Sequence, residues 1–350
     1  MRHSSAVTRR RGVFALAGIG VAMLALAGCA SGAPTPAETS SEAPAPQEET
    51  LQIAYISFAV DNTYDAPMLE AAQEVAAANN AEITVFDGAL DPAVQGTLIE
   101  DVIASGQYDG MIVQPIYGPA IMDVVKEAID AGITVVNIDQ ILGNDFTSGA
   151  TQVEGLAANI VFVPTLLGKD LGEQTVAGCA AAGLDPCNVA YLHDLKTSSV
   201  SISLWDAFTE ATAGSPVTVV AEGETFWNPA AAQAALADIL TAHPEVNAIV
   251  TSDQGLQGSV LAIEATGKSV SDYLLVGYGG AIWAVDHVLD GSVYADVLMA
   301  PATTGRLGME ALIDALRNGN NWGDVNPFED FPSTYITKDT ASQFTGEWVG

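Results

Sequence analysis

Acids, carboxamides and aromatics recur in this sequence at the ends of short apolar runs. Asn62, Tyr64 and Asp65 follow the run at 52–58, Gln114 ends the run at 110–114, and Asp139 and Gln140 close the run at 134–138. Farther along, Asp194, Phe226 and Trp227, Asp253 and Tyr278 stand in the same relation to later runs. Carboxylates and carboxamides accept or bridge vicinal hydroxyl hydrogens, and Trp or Tyr faces cover the C–H surface of a ring. A pocket holding Asp65, Asp139 and Asp253 without a cationic side chain rejects anions, because uncompensated carboxylates would face them. It suits a neutral polyol or sugar. It also suits a cationic amine, through cation–π contact with Tyr64, Phe226, Trp227 and Tyr278. Several of these residues have plainer uses: Asp61 and Asn62 can form a turn, Asp253 can cap the helix after it, and Trp227 can be core. Asp139 is the best candidate, since a carboxylate ending a largely apolar strand is costly unless it meets a partner.

Other chemistries lack their residues. His193, His243 and His287 show no metal-ligand spacing, and no Gly-x-Ser-x-Gly nucleophile turn occurs. Gly267-Lys268-Ser269 resembles the end of a phosphate loop, but the earlier glycine it needs is Ala262 and no strand leads into it. Gly277-Tyr278-Gly279-Gly280 lacks the third spaced glycine of a dinucleotide loop. The reading is therefore of a protein that is not an enzyme and holds no metal and no cofactor.

The elements that must position the candidate residues alternate. Apolar segments at 52–58, 82–86, 110–114 and 134–138 read as strands, and Ala-rich amphipathic stretches at 67–79, 93–105 and 119–131 read as helices. A less regular stretch at 141–160 separates these from a second set. That set has helices at 165–181, 201–212, 229–241 and 256–265 and strands at 188–192, 217–221, 248–251 and 274–277. A last strand at 293–298, a helix from Pro301 to Asn318 and an extended tail follow. Strands apolar on both faces alternating with helices imply parallel sheets covered on both sides. Roughly 300 residues beyond the N-terminal segments exceed what one core holds, which predicts two lobes. In open parallel sheets ligands bind beyond the carboxyl ends of the strands, where the candidate residues lie.

The N-terminus carries a different message. Arg2, Arg9, Arg10 and Arg11 precede an uncharged apolar run from 13 to 27 that is short for a membrane span and ends in Leu26-Ala27-Gly28-Cys29. This resembles the lipobox of bacterial lipoproteins, which implies cleavage of residues 1–28 and lipidation of Cys29; Arg10-Arg11 leaves open Sec or twin-arginine export. Residues 29–50 are mostly Ala, Pro, Ser, Thr and Glu, the composition of a tether. The chain has 11 basic and 43 acidic residues, net charge −32, with four of the basic residues before position 12. Nucleic acid is excluded as a partner by that balance. In an exported chain Cys179 and Cys187 predict a disulfide worth roughly 2–3 kcal/mol; metal ligation, the alternative, lacks a supporting Cys or His cluster.

The stretch 51–338 resembles the periplasmic sugar-binding proteins of the ribose-binding type. The resemblance rests on the order and spacing of Ile53-Ala54-Tyr55-Ile56 with Asp61-Asn62-Thr63-Tyr64, Asp109-Gly110 through Gln114-Pro115, Gly132 through Asp139, Thr241-Ala242-His243-Pro244 leading to Asp253, and Val276-Gly277-Tyr278-Gly279-Gly280. It implies an α/β fold of two doubly wound parallel-sheet lobes joined by a three-stranded hinge, with crossovers near 161–164, 298–301 and 332–335. The N-terminal lobe would be 51–161 plus 300–332 and the C-terminal lobe 162–299 plus 333–350. It further implies an extracytoplasmic, lipid-anchored monomer that closes on a sugar or polyol and delivers it to an ABC permease in the membrane. The alternatives are a binding protein for a cationic amine, or a ligand sensor presenting to a membrane receptor. The chain also departs from the family: Gln140 and Ser201-Ile202-Ser203 stand where that pattern has arginines, Gly279 where it has an aspartate and Met299 where a hinge glutamine is common. Ribose itself is therefore not the expected ligand.

Overall fold

The computed structural model describes residues 49–350. The expected leader, Cys29 and the tether up to residue 48 lie outside the described residues. Among those described, no helix is long and apolar enough to cross a membrane.

The first half of the chain runs β1 (Leu51–Ser57), α1 (Asp65–Ala78), β2 (Ala81–Asp87), α2 (Pro92–Ser105), β3 (Gly110–Val113), α3 (Gly118–Asp130), β4 (Thr134–Asp139) and β5 (Ala158–Val161). Then come α4 (Pro164–Ala182), β6 (Cys187–His193), α5 (Ser199–Thr212), β7 (Val217–Glu224), α6 (Pro229–Ala242), β8 (Ala248–Ser252) and α7 (Asp253–Ala265). The last elements are β9 (Leu274–Tyr278), α8 (Ile282–Asp290), β10 (Ala295–Val297), α9 (Pro301–Asn318), β11 (Gly323–Val325) and β12 (Tyr335–Thr337). They form two six-stranded sheets, ordered β11-β5-β4-β3-β1-β2 and β12-β10-β9-β8-β6-β7. Every pairing is parallel except β10 with β12. The chain crosses from one sheet to the other after β5, after β10 and after β11.

Local chemistry sets the helix limits. Asp91 accepts from the N–H groups of Ala93 and Val94 with Pro92 in the first turn of α2, and Gly106 ends that helix at φ 60°. Asn228 and Pro229 do the same for α6. The central strands β3 and β8 are buried along their whole length, because helices cover both faces of each sheet. One face of the first sheet packs Ile53, Ile112 and Ile138 against Met68 of α1 and Met309 and Leu312 of α9, so α9 returns to the first lobe. Each such side chain contributes about 1.5–3 kcal/mol on burial. Gly305 permits the contact: a Cβ there would lie 1.9 Å from the carbonyl oxygen of Met68. In the second lobe Cys179 of α4 and Cys187 of β6 are joined by a disulfide, as their spacing predicts.

Four elements are not read from the sequence: β5 in the irregular stretch, α8 between the strands at 274–277 and 293–298, and β11 and β12 in the extended tail. Three-residue strands and a nine-residue helix give no usable periodicity, and the four-residue β5 follows directly on an irregular stretch that marks no boundary. They are fixed by tertiary pairing, β5 beside β4 and β12 antiparallel to β10.

Candidate functional site

The carboxyl ends of the two sheets face each other across a cavity lined by residues of both lobes, the place where small-molecule sites form in such sheets. The first lobe supplies a connected polar floor. Asp139, 1% exposed at the end of β4, accepts from the Tyr64 hydroxyl at Oδ1 (2.8 Å) and from Gln140 Nε2 (2.8 Å) and Gln114 Nε2 (3.1 Å) at Oδ2. Gln114 is oriented by the Phe58 N–H, which donates to its Oε1 (3.2 Å), and the same Nε2 reaches Asp65 Oδ1 at 2.7 Å. Asp139 has φ 66°, a left-handed conformation that aspartate tolerates better than most residues; strain of this kind gathers at functional sites. Asn62 does both things its type allows: its side chain closes a turn by accepting from Tyr64 N–H (2.8 Å), and it lines the cavity.

Burial raises the carboxyl pKa values here. Asp65 is pushed up to about 8 by burial, opposed by the Gln114 hydrogen bond. Asp139 is raised by burial too, held down in part by Gln140, Tyr64 and Gln114. Burial also raises the Tyr64 hydroxyl, and the Asp139 carboxylate adds to it. None of the residues lining the cavity is Lys, Arg or His.

The second lobe supplies apolar surface and a few polar atoms. Trp227 and Tyr278 line the cavity as expected, joined by Ser252, Gln254, Gly279, Val200 and Met299. Trp227 meets Phe58 of the first lobe edge-on, ring centroids 5.3 Å apart. The Ser199 N–H donates to the Ile116 carbonyl (3.2 Å), Ser199 Oγ accepts from Gly118 N–H (3.1 Å), and Gln254 Nε2 reaches Thr63 Oγ1 (3.4 Å). These contacts span the cleft, so the lobes are closed on the cavity.

Three expected site residues are not brought to the lining. Asp194 lies one layer behind it, its carboxylate accepting from Thr225 Oγ1, Ser252 Oγ (2.7 Å) and the Tyr278 hydroxyl. Asp253 turns into the lobe: Oδ2 accepts from Ala281 N–H (2.8 Å), and the carboxyl interacts with that of Asp296, which holds Gly280 N–H (2.8 Å). Burial puts the Asp253 carboxyl at about 6, while Asp296 is raised well above the usual range by burial and by Asp253. Asp253 is not the cap of α7 either, since Ser252 Oγ accepts from Gly255 N–H (3.3 Å). Phe226 points outward, 46% exposed, because it and Trp227 both take left-handed backbone (φ 54° and 50°) and only the second ring turns into the cleft.

Sequence reasoning missed Phe58, Val200, Ser252, Gln254, Gly279, Met299 and Trp348. Ser252 and Gln254 flank Asp253 at the end of β8, so strand-end position marked the right segment and the wrong side chain. Phe58 lies just beyond β1 and was readable by the same rule. Trp348 carries no such signal. A larger concavity is lined by aliphatic residues such as Val161, Val163 and Leu167 together with Asp324, Asn326 and Thr334, and shares no residue with this cavity.

A family model described as "Periplasmic binding protein domain" matches residues 53–321. The ribose import binding protein of Escherichia coli is 23% identical over 266 residues, covering 76% of this chain and 84% of that protein. The D-ribose/D-allose-binding protein of Pseudomonas aeruginosa is 26% identical over 228 residues, 65% of this chain and 68% of that one. Among solved structures, an ABC transporter solute binding protein from Mycobacterium smegmatis with bound glycerol aligns with TM-score 0.72 at 20% identity, over 86% of this chain and all (100%) of that one.

Proposed function

The chain belongs to the periplasmic binding protein domain family, and from that premise we propose that it captures a small neutral sugar or polyol between its lobes and delivers it to an ABC permease. The family is one of transport binding proteins rather than enzymes, and the role is extracytoplasmic. The observation that carries the reading is the pairing of a buried acceptor floor, Asp139 with Asp65, Gln114 and Gln140, with aromatic walls from Trp227 and Tyr278 in a cavity that has no cation. Hydroxyls meet the acceptors and C–H faces meet the rings. The relatives named for ribose, for ribose and allose, and bound to glycerol are consistent with that chemistry.

The mechanism is hinge closure. The open form exposes both faces, and a ligand touching both lobes at once favours the closed form, which the permease then reads. The lobes are assigned as 51–161 with 300–332 and 162–299 with 333–350, their three crossovers forming the hinge. Asn62, Tyr64, Asp65, Gln114, Asp139, Gln140, Trp227 and Tyr278 are assigned to ligand contact. Asp194 is assigned to support behind the lining. Cys29 would anchor a monomer to the membrane through lipid.

The test is a thermal-shift screen of the chain lacking residues 1–29 against monosaccharides, polyols, nucleosides and amines. A ligand at a hundred times its dissociation constant stabilises by about 2.7 kcal/mol. A shift with a sugar or polyol supports the proposal. A shift with amines alone moves the function to cation capture, a reading favoured by a lining that sets no Lys, Arg or His against the Asp139 carboxylate.

A further inference from the structure

The C-terminal tail lies beyond the family match, which ends at residue 321, and beyond the last strand, β12. It is nevertheless built into the cleft. Trp348 is 4% exposed and lines the cavity. Its Nε1–H donates to the Gly279 carbonyl (2.8 Å), and its own carbonyl accepts from Ile282 N–H (2.9 Å), one of the otherwise unpartnered donors at the start of α8. Those bonds tie it to the second lobe. Its ring stands edge-on to Tyr64 of the first lobe, centroids 5.5 Å apart, and the Tyr64 hydroxyl holds Asp139.

The preceding residue reaches the other way. The Glu347 carboxylate accepts from both the N–H (2.9 Å) and the hydroxyl (2.5 Å) of Thr303, in the first turn of α9, the helix packed into the first-lobe core. A carboxylate at a helix N-terminus is favoured by the helix dipole as well as by the two donors. Consecutive side chains thus grip opposite lobes. Two glycines make room. A Cβ on Gly346 would lie 2.3 Å from Ile282 N, and one on Gly279 would lie 2.8 Å from Trp348 Cζ2.

We infer that residues 344–350 form a strap joining the lobes in the closed state, and that Trp348 is a ligand-binding residue whose indole forms one wall of the cavity. The indole offers an apolar face there, which requires the ligand to present C–H groups on that side. The ligand-contact part rests on the proposal that this cavity is the sugar or polyol site; the strap part does not.

The experiment uses the full chain in detergent, with Trp348→Ala, Trp348→Phe, Asp139→Asn and a chain ending at Phe344. Calorimetry with D-ribose, D-allose, glycerol and myo-inositol reads affinity, and small-angle scattering without added sugar reads the radius of gyration. Trp348→Ala and the shortened chain are expected to weaken the best binder by about tenfold or more, with Trp348→Phe keeping most of the affinity, as for a buried aromatic anchor. The shortened chain is expected to have a larger radius of gyration than the parent, a change that loss of packing within one lobe would not cause. If Asp139→Asn weakens binding while Trp348→Ala and the shortened chain bind and scatter like the parent, the strap is overturned and the sugar reading stands. If the parent binds none of the four compounds, scattering decides: expansion on shortening upholds the strap without the sugar reading, and an unchanged radius overturns it.

Discussion

Asp139 and Asp194 occupy comparable places, each at the carboxyl end of a strand in its own lobe, yet only one faces the cavity. Asp139 receives a hydroxyl and two carboxamides that themselves line the site, so its partners hold it at the ligand surface. Asp194 receives Thr225, Ser252 and Tyr278 hydroxyls that converge on it from within the second lobe and hold it behind them. Asp253 goes further, spent on the Ala281 N–H and on Asp296. Strand-end position decides where a residue sits, and the donors within reach decide where its carboxylate points. The outcome is a division of labour: the first lobe brings acceptors to the cleft, and the second brings rings backed by acceptors of its own.

The largest test of that division is pH. Asp65 has one side-chain donor, Gln114, against three for Asp194, and burial raises it from 3.8 to about 8. Its folded pKa exceeds its unfolded one, so the folded state keeps a proton that the unfolded chain has lost. Its contribution is therefore complete below about pH 4 and is lost as pH climbs to about 8, at up to about 1.4 kcal/mol per unit. Calorimetric melting of the ligand-free chain should show the transition temperature falling over that interval, and Asp65→Asn should flatten the fall. Asp253, raised to about 6, and the other buried acids leave a residual slope. An Asp65→Asn profile parallel to the parent would mean that Asp65 is ionised throughout.

Next in size is Asp194→Ala. It strands buried hydroxyls of Thr225, Ser252 and Tyr278, and with some of them free to re-aim the expected cost is about 2–4 kcal/mol in urea unfolding. Affinity should fall less than it does for the first-lobe acid. A stable variant that no longer binds would make Asp194 a recognition group and erase the contrast. Asp139→Asn is expected to do the reverse. Asparagine tolerates the left-handed backbone and removes a buried charge, so stability should stay within about 1 kcal/mol while sugar or polyol affinity drops by about tenfold, or ~1.4 kcal/mol. Equal affinity in the variant would sink the assignment.

The sequence carried the architecture well because the long elements declare themselves. Apolar strands such as Leu51–Ser57 and caps such as Asp91-Pro92 and Asn228-Pro229 need no tertiary information. β5, β11 and β12 were illegible because they exist only as partners of other strands. The site divides in the same way. Asp139 and Gln114 were readable from strand ends, whereas Ser252 in place of Asp253 required knowing that Ala281 and Asp296 already claim the acid. Trp348 belonged to no repeating unit, and only the folded tail places it beside Tyr64.

The smallest expected effect comes from Phe226, the immediate neighbour of a cavity ring. Both residues have positive φ, so the backbone strain is shared and a substitution at either leaves it in place. What differs is the side chain: Trp227 packs on Phe58 across the cleft, and Phe226 is 46% exposed. Phe226→Ala should therefore change stability and sugar or polyol affinity by less than about 0.5 kcal/mol each, measured by urea unfolding and calorimetry. A clear loss of affinity would require Phe226 to turn inward when ligand binds. The second lobe would then contribute its aromatic surface by rearrangement, and the closed arrangement of Phe58 and Trp227 would not be the one that holds the ligand.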